Sequence, residues 1–459
     1  MKNARYTLIY KFFATQIQFG YYKTGDFLPS IEDLCQIYHA SGRTVRSAYL
    51  QLQEDGYVSL SSGRRTTVVY QATAEECARS RRSYYLARME AAPALNEAMK
   101  LLLLPVMRNG CERLTPQAMS EIREMAAKLG DGDFYISFFG GYAMVMASEN
   151  QLASALFSEV VSFYQFPHVL LRFAGKELEV RQFQELSARV IAACDRNDCK
   201  AFYDAYMAIQ TYMNDVLNHY LILAKQLLPA QEQIPFTWNV YRDRPQLCYS
   251  VAARIIKEIC IACCYQPGDT LPHHAILAEK YQVSYMTIRR TMEMLESMGI
   301  VSVRHGVGTT VTEPQPDPAR YQNSAMRRIH TMALESMELL RLAFDSVTAQ
   351  LSADVSARDC AEILRAQSKR GLTHSAFITC MDLLFRGSTN LQLRNIWDRL
   401  FELLLLDLPL LEAAGLHAAL DTLIHCLDIE DFPSFRIALK EQMLQLYNAA
   451  KAIGEQFIS

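Results

Sequence analysis

Apolar residues recur three to four positions apart at Tyr6, Ile9, Phe13 and Ile17, which predicts an amphipathic helix over residues 6–19. Gly20 and Gly25 interrupt the pattern. Ser30, with Asp33 three positions on and Pro29 just outside, has the form of a capping-box start. The second helix that it opens would turn Leu34, Ile37 and Tyr38 toward a core. A tight turn around Ala40-Ser41-Gly42 leads into a third helix over about 43–55 with Val45, Ala48, Tyr49 and Leu52 as its apolar stripe. Arg43, Thr44, Arg46 and Ser47 are left outside, near its start. The runs YVSL and TTVVY then bracket Ser61-Ser62-Gly63-Arg64-Arg65 and predict a β-hairpin. Two helices across a tight turn, preceded by a helix and followed by a hairpin, make a winged helix-turn-helix.

The same pattern returns later in the chain. Tyr6 matches Tyr249, and the same shift aligns Gly25-Asp26 with Gly268-Asp269 and Leu28-Pro29 with Leu271-Pro272. Leu34, Tyr38 and Ser41 align with Leu277, Tyr281 and Ser284; Thr44 and Arg46 align with Thr287 and Arg289. Gly63 falls on Gly306, and Thr66-Thr67-Val68 on Thr309-Thr310-Val311. No gap is needed, so the small unit is duplicated.

The remainder has helical spacing, rich in Leu, Met, Ala and Glu. A weaker echo links MASENQLASALF (146–157) to RGSTNLQLRNIW (386–397), placing Asn150 against Asn390. The fold class is therefore mainly α: two winged helix-turn-helix domains, each of three helices plus a β-hairpin, alternating with two all-α helical bundle domains. The expected boundaries are 1–72, 73–230, a linker at 231–246, 247–313 and 314–459. Prolines in EPQPDPARYQ (313–322) suit an extended connector.

Composition narrows the function. The formal net charge is −3, so contact with nucleic acid has to come from local patches. The first small unit carries a cationic excess of roughly +3. Twelve cysteines lack disulfide-type spacing, and the first twenty residues carry no cleavage-site pattern, so a reducing cytoplasm is expected. Cys260, Cys263 and Cys264 sit in an apolar helical stretch and are expected in the core rather than on a metal. LFELLLLDLPLLE (400–412) carries too many charges and a proline for a membrane span and is expected as a buried helix. Within it, Glu402 and Asp407 are expected on solvated faces. No nucleophile elbow, P-loop or dinucleotide fingerprint occurs, so an enzyme is not expected.

Double-stranded DNA is the expected partner. A recognition helix presents its N-terminal residues to base edges in the major groove. Arginine can hold guanine through two hydrogen bonds, and a threonine methyl can meet that of thymine. The candidate contacts are Arg43, Thr44, Arg46, Arg64 and Arg65 in the first copy. In the second they are Tyr285, Met286, Thr287, Arg289, Arg290, Arg304 and His305. His273-His274 could touch phosphate or simply begin a solvated helix.

The strings GDFLPS…TVRSAYLQLQEDGYV…GRRTTV and PGDTLPHH…VSYMTIRRTMEMLESMGIVSVRHGVGTTV resemble the DNA-binding domain of the GntR family of bacterial transcription regulators. The resemblance implies a winged helix, DNA binding and an effector-responsive domain after it. Thr44, Arg46, Thr287 and Arg289 fall on the family's recognition-helix Thr and Arg, and Gly63 and Gly306 on its wing turn. The family's arginine after the turn Ser is Gly42 in one copy and Tyr285 in the other. Its arginine early in the second helix is Glu32 and Ala275. The helical domains resemble the all-helical (FCD) effector domains of this family, many of which hold a divalent metal. Aligned on Asn150, those ligand positions fall on Ser137, Gly141 and about Ser187. In the second half they fall on Phe377, Met381 and about Leu420. No metal site and no cofactor is expected, and the effector is an unidentified small molecule.

Members of this family pair two heads on a palindrome. Two heads in one chain imply either an intramolecular pseudodimer reading an asymmetric operator, most often as a repressor, or a homodimer with four heads. A ligand-sensing or protein-interaction module with weakened heads is the alternative.

Overall fold

The computed structural model describes residues 4–38, 40–61, 63–128, 132–165, 170–171, 177–238, 240, 246–262, 264–304, 308–313, 324–349, 357–369, 373–413 and 420–458. The chain divides into two compact units, Met1–Thr237 and Trp238–Ser459.

The first unit opens with α1 (Ala4–Gln18), α2 (Ile31–Ile37), α3 (Gly42–Glu54), β1 (Val58–Ser59) and β2 (Thr67–Val68). Ile9 and Phe13 of α1 and Val45, Ala48, Tyr49 and Leu52 of α3 are buried, so the stripes read from the sequence form one core. Each large side chain buried there contributes about 1.5–3 kcal/mol. The Ser30 Oγ accepts from the Asp33 amide at 3.0 Å, and Asp33 accepts from the Ser30 amide at 3.2 Å, completing the capping box. The hairpin pairs Val58 with Val68, and Phe27 bridges to Thr67 as a third edge. Gly25 lies at φ +93°, a conformation that needs a glycine, and donates its amide to the Val68 carbonyl at 2.9 Å.

The second unit repeats this plan. It begins with α11 (Gln246–Ile256), a π-helical turn (Lys257–Ile261), α12 (His274–Tyr281), α13 (Tyr285–Ser297), β3 (Val301–Arg304) and β4 (Gly308–Val311). Val301 pairs with Val311, Thr270 bridges to Thr310, and Gly268 at φ +97° donates to the Val311 carbonyl at 2.8 Å. The cap of α12 differs: Nδ1 of His273 accepts from the Ala275 amide at 3.3 Å.

Helices follow in each unit: α4 (Ala74–Leu86), α5 (Ala91–Cys111), α6 (Pro116–Lys128), α7 (Gly132–Ala147), α8 (Gln151–Tyr164), α9 (Glu177–Arg196) and α10 (Cys199–Leu227) in the first. The second has α14 (Ser324–Thr348), α15 (Ala357–Ser368), α16 (Thr373–Arg386), α17 (Leu391–Ala413), α18 (Leu420–Asp428) and α19 (Phe432–Ile458). The faint sequence echo is a shared cap. Asn150 accepts from the Ala153 amide at 2.8 Å to start α8, and Asn390 from the Leu393 amide at 2.9 Å to start α17.

Two expectations are corrected. Asp407 is buried and bonded to His330, while Glu402 is largely covered and accepts from Ser250 at 3.0 Å and Arg399 at 3.1 Å. Neither lies on a solvated face, because α14 and α11 bring a histidine and a serine against α17. Of the three clustered cysteines, Cys260 is buried, Cys264 is exposed beyond the end of the helix, and Cys263 lies outside the described residues.

Candidate nucleic-acid interface and internal cavity

The starts of α3 and α13 are built alike. Ser41 caps α3 by accepting from the Thr44 amide at 3.2 Å, and Ser284 caps α13 by accepting from the Thr287 amide at 3.1 Å. In each, the threonine hydroxyl also lies 2.9 Å from the serine hydroxyl. The two candidate threonines are therefore half-buried members of the cap.

Around them the two heads diverge. Arg43 and Arg46 project from the first turns of α3 and are exposed. At the matching start of α13, Tyr285 is 49% exposed and Met286 50%, so that edge offers apolar surface to solvent. Arg289 and Arg290 are exposed, but Arg289 Nε donates to Glu293 Oε1 at 3.0 Å. Leu50 occupies the place of Glu293 in the first head.

The wings diverge as well. Arg64 and Arg65 are exposed at the first hairpin, and the Arg65 guanidinium stands 5.4 Å from the ring centre of Phe27, itself 54% exposed. In the second head Arg304 is exposed on β3, and His305 lies outside the described residues.

The structure adds contacts at other residues. Gln53 accepts from the Leu60 amide and Glu296 from the Val303 amide, each at 2.8 Å, tying the wing to the recognition helix in both heads. His274 packs its ring 5.7 Å from that of Tyr285 and lies 3.5 Å from the Thr309 hydroxyl. Burial and then the neighbouring His273 lower its proton affinity. The Gln53/Glu296 pair carried a signal in the sequence, since the two positions match across the repeat. The His273-His274 pair is visible in the sequence, but the contact of His274 with Tyr285 has no local signal there.

The family model described as bacterial regulatory proteins, gntR family, matches residues 6–68 and 249–311. The chain carries two GntR-type domains in tandem. An uncharacterised HTH-type transcriptional regulator of Mycobacterium tuberculosis is 32% identical over 104 residues, 22% of this chain and 43% of that protein. The uxu operon transcriptional regulator of Escherichia coli is 34% identical over 65 residues, 14% of this chain and 25% of that protein. The chain thus spans less than half the length of either curated relative. Among solved structures, E. coli McbR/YncC matches at 17% identity with a TM-score of 0.23, covering 50% of this chain and 99% of that one. A likeness at that score carries no argument.

Behind the first GntR head, the helical domain holds a partly open cavity of ≈ 180 Å³. Its apolar wall includes Leu103, Met107, Phe138 and Phe157. Polar groups converge on it: Asn96 Nδ2 donates to Asn214 Oδ1 at 3.1 Å, and Gln210 Nε2 donates to Ser137 Oγ at 2.8 Å. Ser137 and Gly141 are the positions that the helical-domain resemblance gives to metal ligands. A Cβ at Gly141 would come within 2.6 Å of the Tyr206 hydroxyl, so a tyrosine has taken that space. The donor set is made of neutral amides and hydroxyls, which suits hydrogen bonding and not a divalent cation.

Proposed function

We propose that this chain is a sequence-specific DNA-binding transcription regulator, acting as a repressor. Its two heads would read two unlike half-sites, and a small molecule held in a helical domain would set their grip. The observation that carries the reading is the pair of complete recognition helices whose exposed residues differ at matched positions. Gly42, Arg43, Ser47 and Leu50 in one correspond by position to Tyr285, Met286, Arg290 and Glu293 in the other. Those residues stand in the first turns and along the outer face of the helix, where base edges are read in the major groove. A homodimer of identical heads cannot prefer an asymmetric site. The cavity in the first helical domain supports the effector part of the reading.

Selection of bound duplexes from a random pool tests it. The expected result is two different half-sites about one helical turn apart, bound with a steep salt dependence. A symmetric palindrome would overturn the two-head reading.

A second reading has its own observation. Glu32 and Asp33 place acidic charge at the start of α2, and Glu293 occupies Arg289. Both weaken a grip on phosphate. Binding that is absent or insensitive to salt would favour a ligand-sensing or protein-interaction module with retired heads.

A further inference from the structure

The seams between head and helical domain differ in the two units. In the first, Phe138 of α7 lines the cavity and its ring centre stands 6.0 Å from that of Tyr38. Tyr38 is the residue that ends α2, three positions before Ser41 opens the recognition helix. The hydroxyl of Tyr142, also on α7, donates to the Tyr38 carbonyl at 3.4 Å. One aromatic ring therefore separates the cavity from the turn that aims α3.

In the second unit this arrangement is replaced. Phe377 and Met381 stand where the first unit has Ser137 and Gly141, and both are buried. Asp382 stands where Tyr142 would be; it accepts from Lys257 at 3.0 Å, Arg386 at 2.9 Å and Trp397 Nε1 at 3.0 Å. Lys257 belongs to the π turn of the second head, so an ion pair pins that head to its own helices. Tyr281, the counterpart of Tyr38, gives its hydroxyl to Glu258 at 2.9 Å, within the head.

We propose that the cavity of the first helical domain takes an uncharged, mainly apolar molecule carrying one amide- or hydroxyl-type group, and that its binding shifts the first head alone. This rests on the effector reading above and gives it a ligand class and a target. The lining offers Asn96, Ser137, Gln210 and Asn214 as neutral donors and acceptors. Its charged member, Lys100, is exposed, so its ammonium stays hydrated and leaves a buried carboxylate uncompensated. Filling the cavity presses on Phe138, and Phe138 on Tyr38. At the place of Phe138 the pinned second unit carries Ile378, a buried residue without a ring.

Hydrogen exchange of the full chain without DNA, read by mass spectrometry, tests this separately from operator binding. The probes are octanamide, octanoate and octylammonium at matched concentration. Octanamide is expected to slow exchange about threefold or more across 96–107 and 206–217, and to change it comparably across 34–48 while 277–291 stays as it was. Preference for octanoate or octylammonium, or no protection of the cavity by any probe, overturns the ligand class. Cavity protection with no change at 34–48, or with an equal change at 277–291, overturns the one-head coupling. Tyr38→Leu, which leaves the cavity wall intact, is expected to keep the cavity protection and lose the response at 34–48, and Tyr142→Phe, a milder change outside that wall, to weaken the response. A full response in Tyr38→Leu would also sink the proposal.

Discussion

The Arg289 guanidinium of the second recognition helix is bonded to Glu293 one turn further on, Nε to Oε1 at 3.0 Å, whereas Arg46 in the first helix has Leu50 at that distance along the chain. Both members of the pair are more than half exposed, so the bond contributes little to stability and yields readily to a better partner. Its consequence falls on DNA. Arg289 has to leave a carboxylate before it can reach a base or phosphate, and that carboxylate stays nearby. Glu293→Gln is expected to tighten operator binding by about three- to tenfold at low salt, with a smaller gain at high salt as screening rises. Titration of a labelled operator at two salt concentrations measures it; unchanged affinity at both would remove Glu293 from the interface.

On the proposed two-head reading, Arg46 and Arg289 would serve different half-sites. Arg46→Ala is expected to relax sequence preference in one half of the operator and Arg289→Ala in the other, each costing about 1–3 kcal/mol if the arginine holds a guanine. Repeating the random-pool selection with each variant shows which half degenerates. Loss of preference in the same half for both variants would contradict two heads on one site.

The heads were legible in the sequence because the repeat supplied two independent readings of one fold. Leu34 and Leu277, or Gly25 and Gly268, mean little singly; matched without a gap, they fix helix stripes and turn glycines together. Capping was legible where the chemistry is local, as at Ser30 with Asp33. Where a partner comes from another helix, periodicity is blind. Asp407 lies 77 positions from His330, and nothing in LLLLDLPLL signals a buried histidine waiting on α14. The Tyr38–Phe138 contact spans the junction of head and helices, and the cavity is a gap left by side chains from several helices. Neither has a local pattern to read.

The His330–Asp407 pair makes stability depend on pH. Burial by itself lowers the proton affinity of His330, but attraction and hydrogen bonding to Asp407, with donation to the Ala450 carbonyl, outweigh it and leave the pKa raised above 6.5. A folded pKa above the unfolded one stabilises fully at pH below the unfolded value. That contribution is lost as pH climbs through the raised value. Melting of the helices around α14 is therefore expected to shift downward as pH rises above about 6.5. Asp407→Asn is expected to cost about 3 kcal/mol below that window, and to flatten this part of the pH profile. A thermal-melt series in matched buffers decides it, and an unchanged pH slope in Asp407→Asn would refute the assignment.

Asp382 should matter beyond its own helix. It is buried, and it gathers Lys257, Arg386 and Trp397. Asp382→Asn leaves the lysine without a counter-charge at the seam and is expected to loosen the second head on its helices. Exchange of amides in α11 is expected to rise several-fold while those of α1 are unaffected. Lys257→Met removes the ammonium, whose Nζ stands 4.8 Å from the Phe401 ring centre, but keeps an apolar stem, and is expected to be milder. Equal damage from the two variants would mean that packing, and not the ion pair, holds the seam.

Two heads in one chain make a definite prediction about stoichiometry. Most oligomers close by symmetry, and a dimer of this chain would bring four heads to an operator that, on the proposed reading, takes two. The single-chain reading expects a species of one 52.2 kDa chain at nanomolar concentration and a complex of one chain with one operator duplex. Inserting five base pairs between the half-sites rotates one head's target to the opposite face of the duplex, since a helical turn is about 10–10.5 base pairs. Affinity is then expected to fall toward that of one head, and to recover in part when ten are inserted. Mass photometry of the free chain and of each complex reads both outcomes. A chain that stays dimeric on dilution, or an operator indifferent to the five-base-pair insertion, would show that the heads do not act as a pair within one molecule.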